Sequence, residues 1–402
     1  MEKRMLALVL YADFAPRPGY RLTEAELRTH KVREGNKVWK NPRLRLEERP
    51  VPQVKRPDEV LIRVRAVGIC GSDLHFVETD EDGYMIYPGL TRLPVIIGHE
   101  FAGVVEAVGP EVKNVRPGDL VTSEEMLWCG TCDACRMGYV NHCKRLNDPA
   151  DLEYGELGFT HDGAMAEYVV VRERYLWKID SIRERVGSDE KAFEAGSLVE
   201  PTSVSYHAMF NRAGGFKPGA YVVVWGAGPI GLAAIALAKA AGASKVIAFE
   251  ISPVRKELAK VMGADYVFDP VELQKQSVEP WEKVMDVTGG EGADMHVEAA
   301  GAPHQTVPQM LKSLAIGAKI VQIGRAPKEV PMYLELLQVR RVQVFGSQGH
   351  SGWGTFRNVI RLMASGAIDM TKIITSRFPL SRALEAFGRG HKRIDGKITL
   401  KP

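Results

Sequence analysis

The chain is poor in several features that would assign it to a class at once. Five cysteines in 402 residues are too few and too unevenly spaced for the disulfide lattice of a small secreted scaffold. No apolar run approaches the roughly 20 residues that a helix needs to cross a bilayer. The longest, Gly231 to Ala238, is Ala-rich and stops at Lys239, so it reads as a buried helix. Met1 to Leu10 carries too short an apolar stretch for a secretion signal. Net charge is nearly absent: 53 basic residues face 50 acidic ones, leaving +3 and no general pull toward nucleic acid. The densest basic stretch, Lys31 to Arg56, is broken by Glu34, Glu47 and Glu48, as expected of a solvated face. Neither repeats nor low-complexity tracts occur. These absences lead us to expect a cytoplasmic protein that engages neither membrane nor nucleic acid.

What is present is ordinary globular composition, with 45% hydrophobic and 26% charged residues. The length exceeds what one hydrophobic core usually organises, so two domains are expected. Short Val- and Ile-rich strands at Val60–Ile69, Val104–Val108 and Tyr168–Val171, separated by Gly and Pro turns, predict a β-rich first half. Beyond Lys217-Pro218-Gly219 the pattern alternates strand with helix. Candidate strands are Tyr221–Trp225, Lys245–Glu250, Tyr266–Phe268, Ala293–Ala299, Lys319–Ile323 and Val342–Phe345, which describe an α/β, doubly wound parallel sheet. Ser252 is placed to cap the helix that Pro253 opens. After about Gly346 the tail is too short to fold alone and should return to the first domain. Domain boundaries are therefore expected at 1–203, 204–347 and 348–402. The stretch Tyr11 to Pro42 fits this plan poorly. It surrounds a helix-like Thr23–His30, with a Thr23/Glu26 capping box, and reads as an insertion over the first domain.

Cys129, Cys132, Cys135 and Cys143 give C-x2-C-x2-C-x7-C within one loop. Four thiolates so close can wrap one tetrahedral zinc in a closed, structural site. A zinc ribbon for nucleic acid would need paired knuckles on a basic, aromatic surface, which Asp133 and its neutral neighbours do not supply. Cys70 lies elsewhere, in Gly68-Ile69-Cys70-Gly71-Ser72-Asp73-Leu74-His75, directly after a predicted strand. His99 lies in Gly98-His99-Glu100-Phe101-Ala102-Gly103, with five residues between Gly103 and a further glycine, Gly109.

Taken in order, the C-G-S-D-x-H run, the G-H-E-x2-G-x5-G pattern and the four-cysteine loop resemble the zinc-dependent medium-chain alcohol dehydrogenases, from about Leu44 to the C-terminus. The resemblance implies a GroES-like β-rich catalytic domain interrupted by a Rossmann domain. It implies two zinc ions per chain, with Cys70, His99 and Glu100 at the catalytic one, Ser72 as the hydroxyl that takes the alcohol proton and His75 as the next relay member. In Leu198-Val199-Glu200-Pro201 this chain has Glu200 where many relatives place a cysteine. That is the pattern of the sorbitol and threonine dehydrogenase branch, in which this glutamate meets zinc directly or through water. Alternative readings of Ser72 as a helix N-cap and of Glu200 as a hinge or surface charge follow from the residues alone. A zinc-free quinone reductase relative lacks these cysteines, and a nucleotide-binding regulatory protein would leave the open zinc site idle.

Gly226-Ala227-Gly228-Pro229-Ile230-Gly231 matches G-x-G-x-x-G between an apolar strand and an Ala-rich helix, the setting in which backbone amides meet a pyrophosphate. Glu250 stands 24 residues beyond Gly226, where an acidic group accepts the adenosine ribose hydroxyls and repels a 2′-phosphate. NAD is therefore the expected cofactor, and Arg255 nearby is compatible with it in this family. The resemblance implies a small-molecule alcohol or ketone as substrate and a homo-oligomer, dimer or tetramer. Chain length and the insert most resemble the scyllo-inosose dehydrogenases of the branch, implying a polyol, cyclitol or inositol ketone, with sorbitol and L-threonine as alternatives.

Overall fold

The computed structural model describes residues 3–402. Its second half is built on six parallel strands in the order Tyr266–Phe268, Lys245–Phe249, Tyr221–Trp225, Ala293–Glu298, Leu314–Gln322 and Gln343–Gly346. The chain enters the sheet at Tyr221–Trp225, winds to one edge and then crosses to the other side, which leaves a crevice at the carboxyl end of that first strand. The central strands are buried on both faces, so they read as near-continuous Val, Ile and Ala. The strand foreseen at Lys319–Ile323 starts earlier, at Leu314, and shifts register against Ala293–Glu298 after its first pair.

The first half builds most of a mainly antiparallel sheet of seven strands, in which the pair Lys397–Lys401 and Ile374–Pro379 runs parallel. Its main path runs Leu176–Lys178, Leu120–Ser123, Glu100–Val108, Glu59–Gly68, Lys397–Lys401 and Ile374–Pro379, with Tyr168–Arg172 pairing onto Glu59–Gly68. The last two strands of the chain thus complete the sheet begun near residue 59. Arg4–Phe14 and Trp39–Pro50 pair along almost their whole length, from Arg4 opposite Pro50 to Phe14 opposite Trp39. The segment between them holds the helix Glu24–Thr29, whose capping box joins Thr23 and Glu26 in both directions. Among the described residues, no helix is long and apolar enough to cross a membrane.

Two local expectations need correction. Ser252 occupies the N-cap position of the helix Pro253–Val261, but its hydroxyl makes no capping bond; its N–H instead donates to Glu250 Oε1 at 2.8 Å. Lys31 does not belong to a solvated face. It is fully buried, and its Nζ donates to the carbonyls of Asp151 (2.7 Å) and Tyr154 (2.8 Å), pinning the insertion to the chain just beyond the four cysteines. Burial brings its pKa down to about 8.

Candidate active site

Cys70 follows the strand Glu59–Gly68 and caps the helix Gly71–Val77, its N–H held by the Asp73 carboxylate at 2.8 Å. The helix therefore starts at the cysteine, and Ser72 is not its N-cap. The Ser72 hydroxyl is buried without a hydrogen-bond partner among the described residues, which leaves it free for a ligand. His99 and Glu100 open the neighbouring strand, and the ligand atoms of Cys70, His99 and Glu100 lie within 4.8 Å of one another. Asp73, also fully buried, has Oδ1 3.9 Å from His99 Nδ1; burial lifts its pKa to about 6. Glu100 is ion-paired with the buried Lys397, from the last strand. His75 lies at the mouth, 3.9 Å from Glu78, its pKa lowered by burial and by Arg393.

Glu200 sits near the start of the helix Val199–Tyr206 and is only 4% exposed, which removes the surface-charge reading. With His99 it forms a second group that includes Glu125, again with ligand atoms within 4.8 Å of one another. Sequence reasoning missed Glu125, which follows the strand Leu120–Ser123, and it missed His350. The His350 Nε2 lies 3.0 Å from Glu200 Oε1 and 3.2 Å from Glu125 Oε2. Burial opposes a charge on His350, but the two carboxylates outweigh it and hold its pKa up to about 10. Glu156, buried close by, is pushed up to about 8 by burial and then by the charge of Glu125. One sulfur, one imidazole and several carboxylates thus converge, a donor set that suits a borderline metal such as zinc with room for a further ligand.

The four cysteines converge separately, also within 4.8 Å of one another, and none is in a disulfide. Backbone amides converge on their sulfurs: Thr131 and Cys132 donate to Cys129, Lys144 to Cys132, and Cys129 and Leu146 to Cys143, at 3.3–3.5 Å. Burial raises the Cys129 thiol, yet the Thr131 hydroxyl and these amides outweigh it and bring it down to about 6, whereas burial keeps the Cys135 and Cys143 thiols raised. Donated N–H bonds favour thiolates, the form that binds metal.

In the parallel sheet, Gly226 turns with φ of +87°, and a Cβ there would lie 2.7 Å from Ala300 Cα, so glycine is required. Gly228 caps the helix Pro229–Ala240, which also contains Ile230 and Gly231. The first N–H groups of such a helix lack intrahelical partners and suit a phosphate. Glu250 accepts from Ala227 N–H (2.7 Å), Ile251 N–H (2.9 Å) and Ser252 N–H (2.8 Å), tying the glycine loop to the next strand. Arg255 lies beside this loop and donates from Nε to the Asp395 carbonyl at 2.8 Å, which joins the cofactor crevice to the C-terminal return.

A doubly wound sheet with a G-x-G-x-x-G loop, joined to a β-rich sheet that carries a cluster of metal donors, is the combination of a nicotinamide-type dehydrogenase. Comparison with known proteins sharpens this. The alcohol dehydrogenase GroES-like domain matches residues 56–181, and the zinc-binding dehydrogenase family matches residues 229–365. Scyllo-inosose 3-dehydrogenase of Thermotoga maritima is 47% identical over 395 residues, 96% of each chain. Sorbitol dehydrogenase of Bacillus subtilis is 32% identical, covering 90% of this chain and 95% of that one. A solved Thermotoga maritima structure described as an alcohol dehydrogenase superposes with a TM-score of 0.93 at 45% identity, over 99% of this chain and 100% of that one. The chain belongs to the zinc-dependent medium-chain alcohol dehydrogenases, enzymes that pair a zinc site with a nicotinamide cofactor.

Proposed function

We propose that this enzyme passes hydride between a secondary alcohol of a cyclitol, of the scyllo-inosose type, and NAD, using two zinc ions of unequal role. The observation that carries the reading is the convergence on buried His99 of Cys70 with Glu100 and of Glu200 with Glu125, near a Ser72 hydroxyl that has no hydrogen-bond partner among the described residues. The inosose dehydrogenase relative supports the substrate class, because its likeness spans nearly the whole chain. Cys70, His99 and Glu100 would hold the catalytic zinc with Glu200 beside them, and Cys129, Cys132, Cys135 and Cys143 the structural one. Zinc at the first site supplies Lewis acidity that makes a substrate hydroxyl easier to deprotonate. Ser72 Oγ would accept that proton while giving up its own to His75, which passes it toward solvent. Glu200, Glu125 and His350 keep the pocket polar, so hydroxyl-rich rings exchange water for protein hydrogen bonds on entering it.

For the cofactor, Gly226, Gly228, Pro229, Ile230 and Gly231 would cradle the pyrophosphate. The Glu250 carboxylate keeps acceptor capacity for the adenosine ribose hydroxyls and disfavours a 2′-phosphate. We divide the chain into a catalytic unit, 1–203 with the return 348–402, and a cofactor unit, 204–347. Self-association is supported by the edge strand Gln343–Gly346 and the exposed Ile316, Leu334, Val339 and Val344 near it. Unpaired thiols suit the cytoplasm. The test is initial-rate screening of the zinc-loaded enzyme with NAD against inositols, inososes, sorbitol, xylitol and L-threonine. Preference for a cyclitol supports the reading; preference for sorbitol or L-threonine moves the substrate to the branch's other members.

A further inference from the structure

The four-cysteine loop reaches the catalytic cluster through one side chain. Asn141 lies between Cys135 and Cys143, is 6% exposed, and makes three hydrogen bonds to the segment that carries His350. Its Oδ1 accepts from the N–H groups of His350 (3.2 Å) and Ser351 (2.9 Å), while its Nδ2 donates to the Ser351 carbonyl (3.1 Å). Two backbone donors and one acceptor fix the amide's orientation. The fit is close. Gly349 turns with φ of +74°, and a Cβ there would stand 2.6 Å from Asn141 Oδ1 and 2.9 Å from Met126 Cε. A Cβ at Gly352 would stand 2.9 Å from Val140 Cγ2. The segment so held leaves the last parallel strand at Gly346 and presents His350 Nε2 to both Glu200 and Glu125. The backbone at His350 is thus fixed by the cysteine loop, and its ring by the carboxylates of the catalytic cluster.

We propose that Asn141 is a positioning residue for the active site, acting through His350 on Glu200 and Glu125. The four-cysteine loop then does more than stabilise the catalytic domain: it sets where the carboxylates of the substrate pocket stand. The inference rests on the reading of Glu200 as part of the catalytic centre. Removing the amide frees two N–H groups and one carbonyl in a buried segment, so the segment shifts to rehydrate them and His350 leaves its carboxylates.

Full-length enzyme with cobalt exchanged into the Cys70 and His99 site, and zinc kept among the four cysteines, gives a readout that needs no substrate. The visible cobalt bands of Asn141→Ala should shift toward those of His350→Ala, and the double variant should match His350→Ala alone. Asn141→Asp, which keeps both acceptor bonds and loses the donor, should fall between wild type and Asn141→Ala and guards against a folding failure. In the zinc enzyme, KM for the alcohol should rise about tenfold in Asn141→Ala with KM for NAD unchanged. If wild type shows no cobalt bands at that site, the catalytic-centre reading fails and this inference with it. Wild-type bands left unmoved by Asn141→Ala, even with a lowered Tm, would overturn the positioning role alone. Additive effects of the Asn141 and His350 substitutions would overturn it too.

Discussion

The two metal-donor clusters of this protein are built in opposite ways. The four sulfurs near residue 135 come from one short loop, and backbone amides from that same loop surround them. The donors around Cys70 come from a strand end, the start of another strand, a loop and a helix, held by His350 and Lys397 from the far end of the chain. A local, sulfur-only cluster closes on its ion and leaves no ligand position, so it suits stability. A scattered, mixed cluster depends on the whole fold and keeps donors of different hardness around an open side, so it suits chemistry.

Four substitutions would break or sharpen that contrast. Cys70→Ser should have the largest effect: turnover falls by more than about a hundredfold, the scale on which lost electrostatic stabilisation at a reacting centre is felt, while Tm stays close to wild type. Steady-state rates and calorimetry on the same preparation would show it. Cys132→Ser should do the reverse in stability, lowering it by about 3 kcal/mol, within the range for losing a structural metal contact. Thermal unfolding with and without added chelator checks this, and loss of turnover in the protein that remains folded should stay below tenfold. Glu200→Gln should lower kcat by about tenfold to a hundredfold, as for residues that shape a metal site, without changing NADH affinity measured by fluorescence. Near-normal turnover in that variant would make Glu200 a hinge residue after all. Glu250→Gln should have the smallest effect, narrowing the preference for NAD over NADP by about tenfold, since one carboxylate charge is worth about 1.4 kcal/mol there. Glutamine removes the charge while its one carbonyl oxygen can still serve the Ile251 and Ser252 amides, so the bond lost is the one from Ala227 N–H.

The same contrast explains what could be read from the sequence. The strand, glycine loop and helix from Tyr221 to Ala240 were legible because strand, turn and helix cap are local features with fixed spacing. So was the cysteine loop. Cys70, His99, Glu100 and Glu200 were picked out by motif; the structure groups Cys70 and Glu100 with His99, and Glu200 with His99 and Glu125, each set with ligand atoms within 4.8 Å. Glu125 and His350 left no signal, since their contact spans 225 residues and neither has a telling neighbour. Lys31 sat in a charged run that read as solvent-facing. Its burial depends on two backbone carbonyls beyond residue 150, which no local pattern encodes. Ser252 looked like a cap, but the nearby Glu250 carboxylate took its N–H and ordered the helix start instead.

Whether the two clusters hold two zinc ions of unequal role is decided by metal analysis. Zinc per chain should be measured by plasma mass spectrometry on wild type, Cys70→Ser and Cys132→Ser, alongside NAD reduction with the preferred cyclitol. Wild type should carry two zinc ions, a folded but inactive Cys70→Ser one, and a destabilised Cys132→Ser at most one. Full activity from wild-type enzyme carrying fewer than one zinc per chain would contradict this assignment.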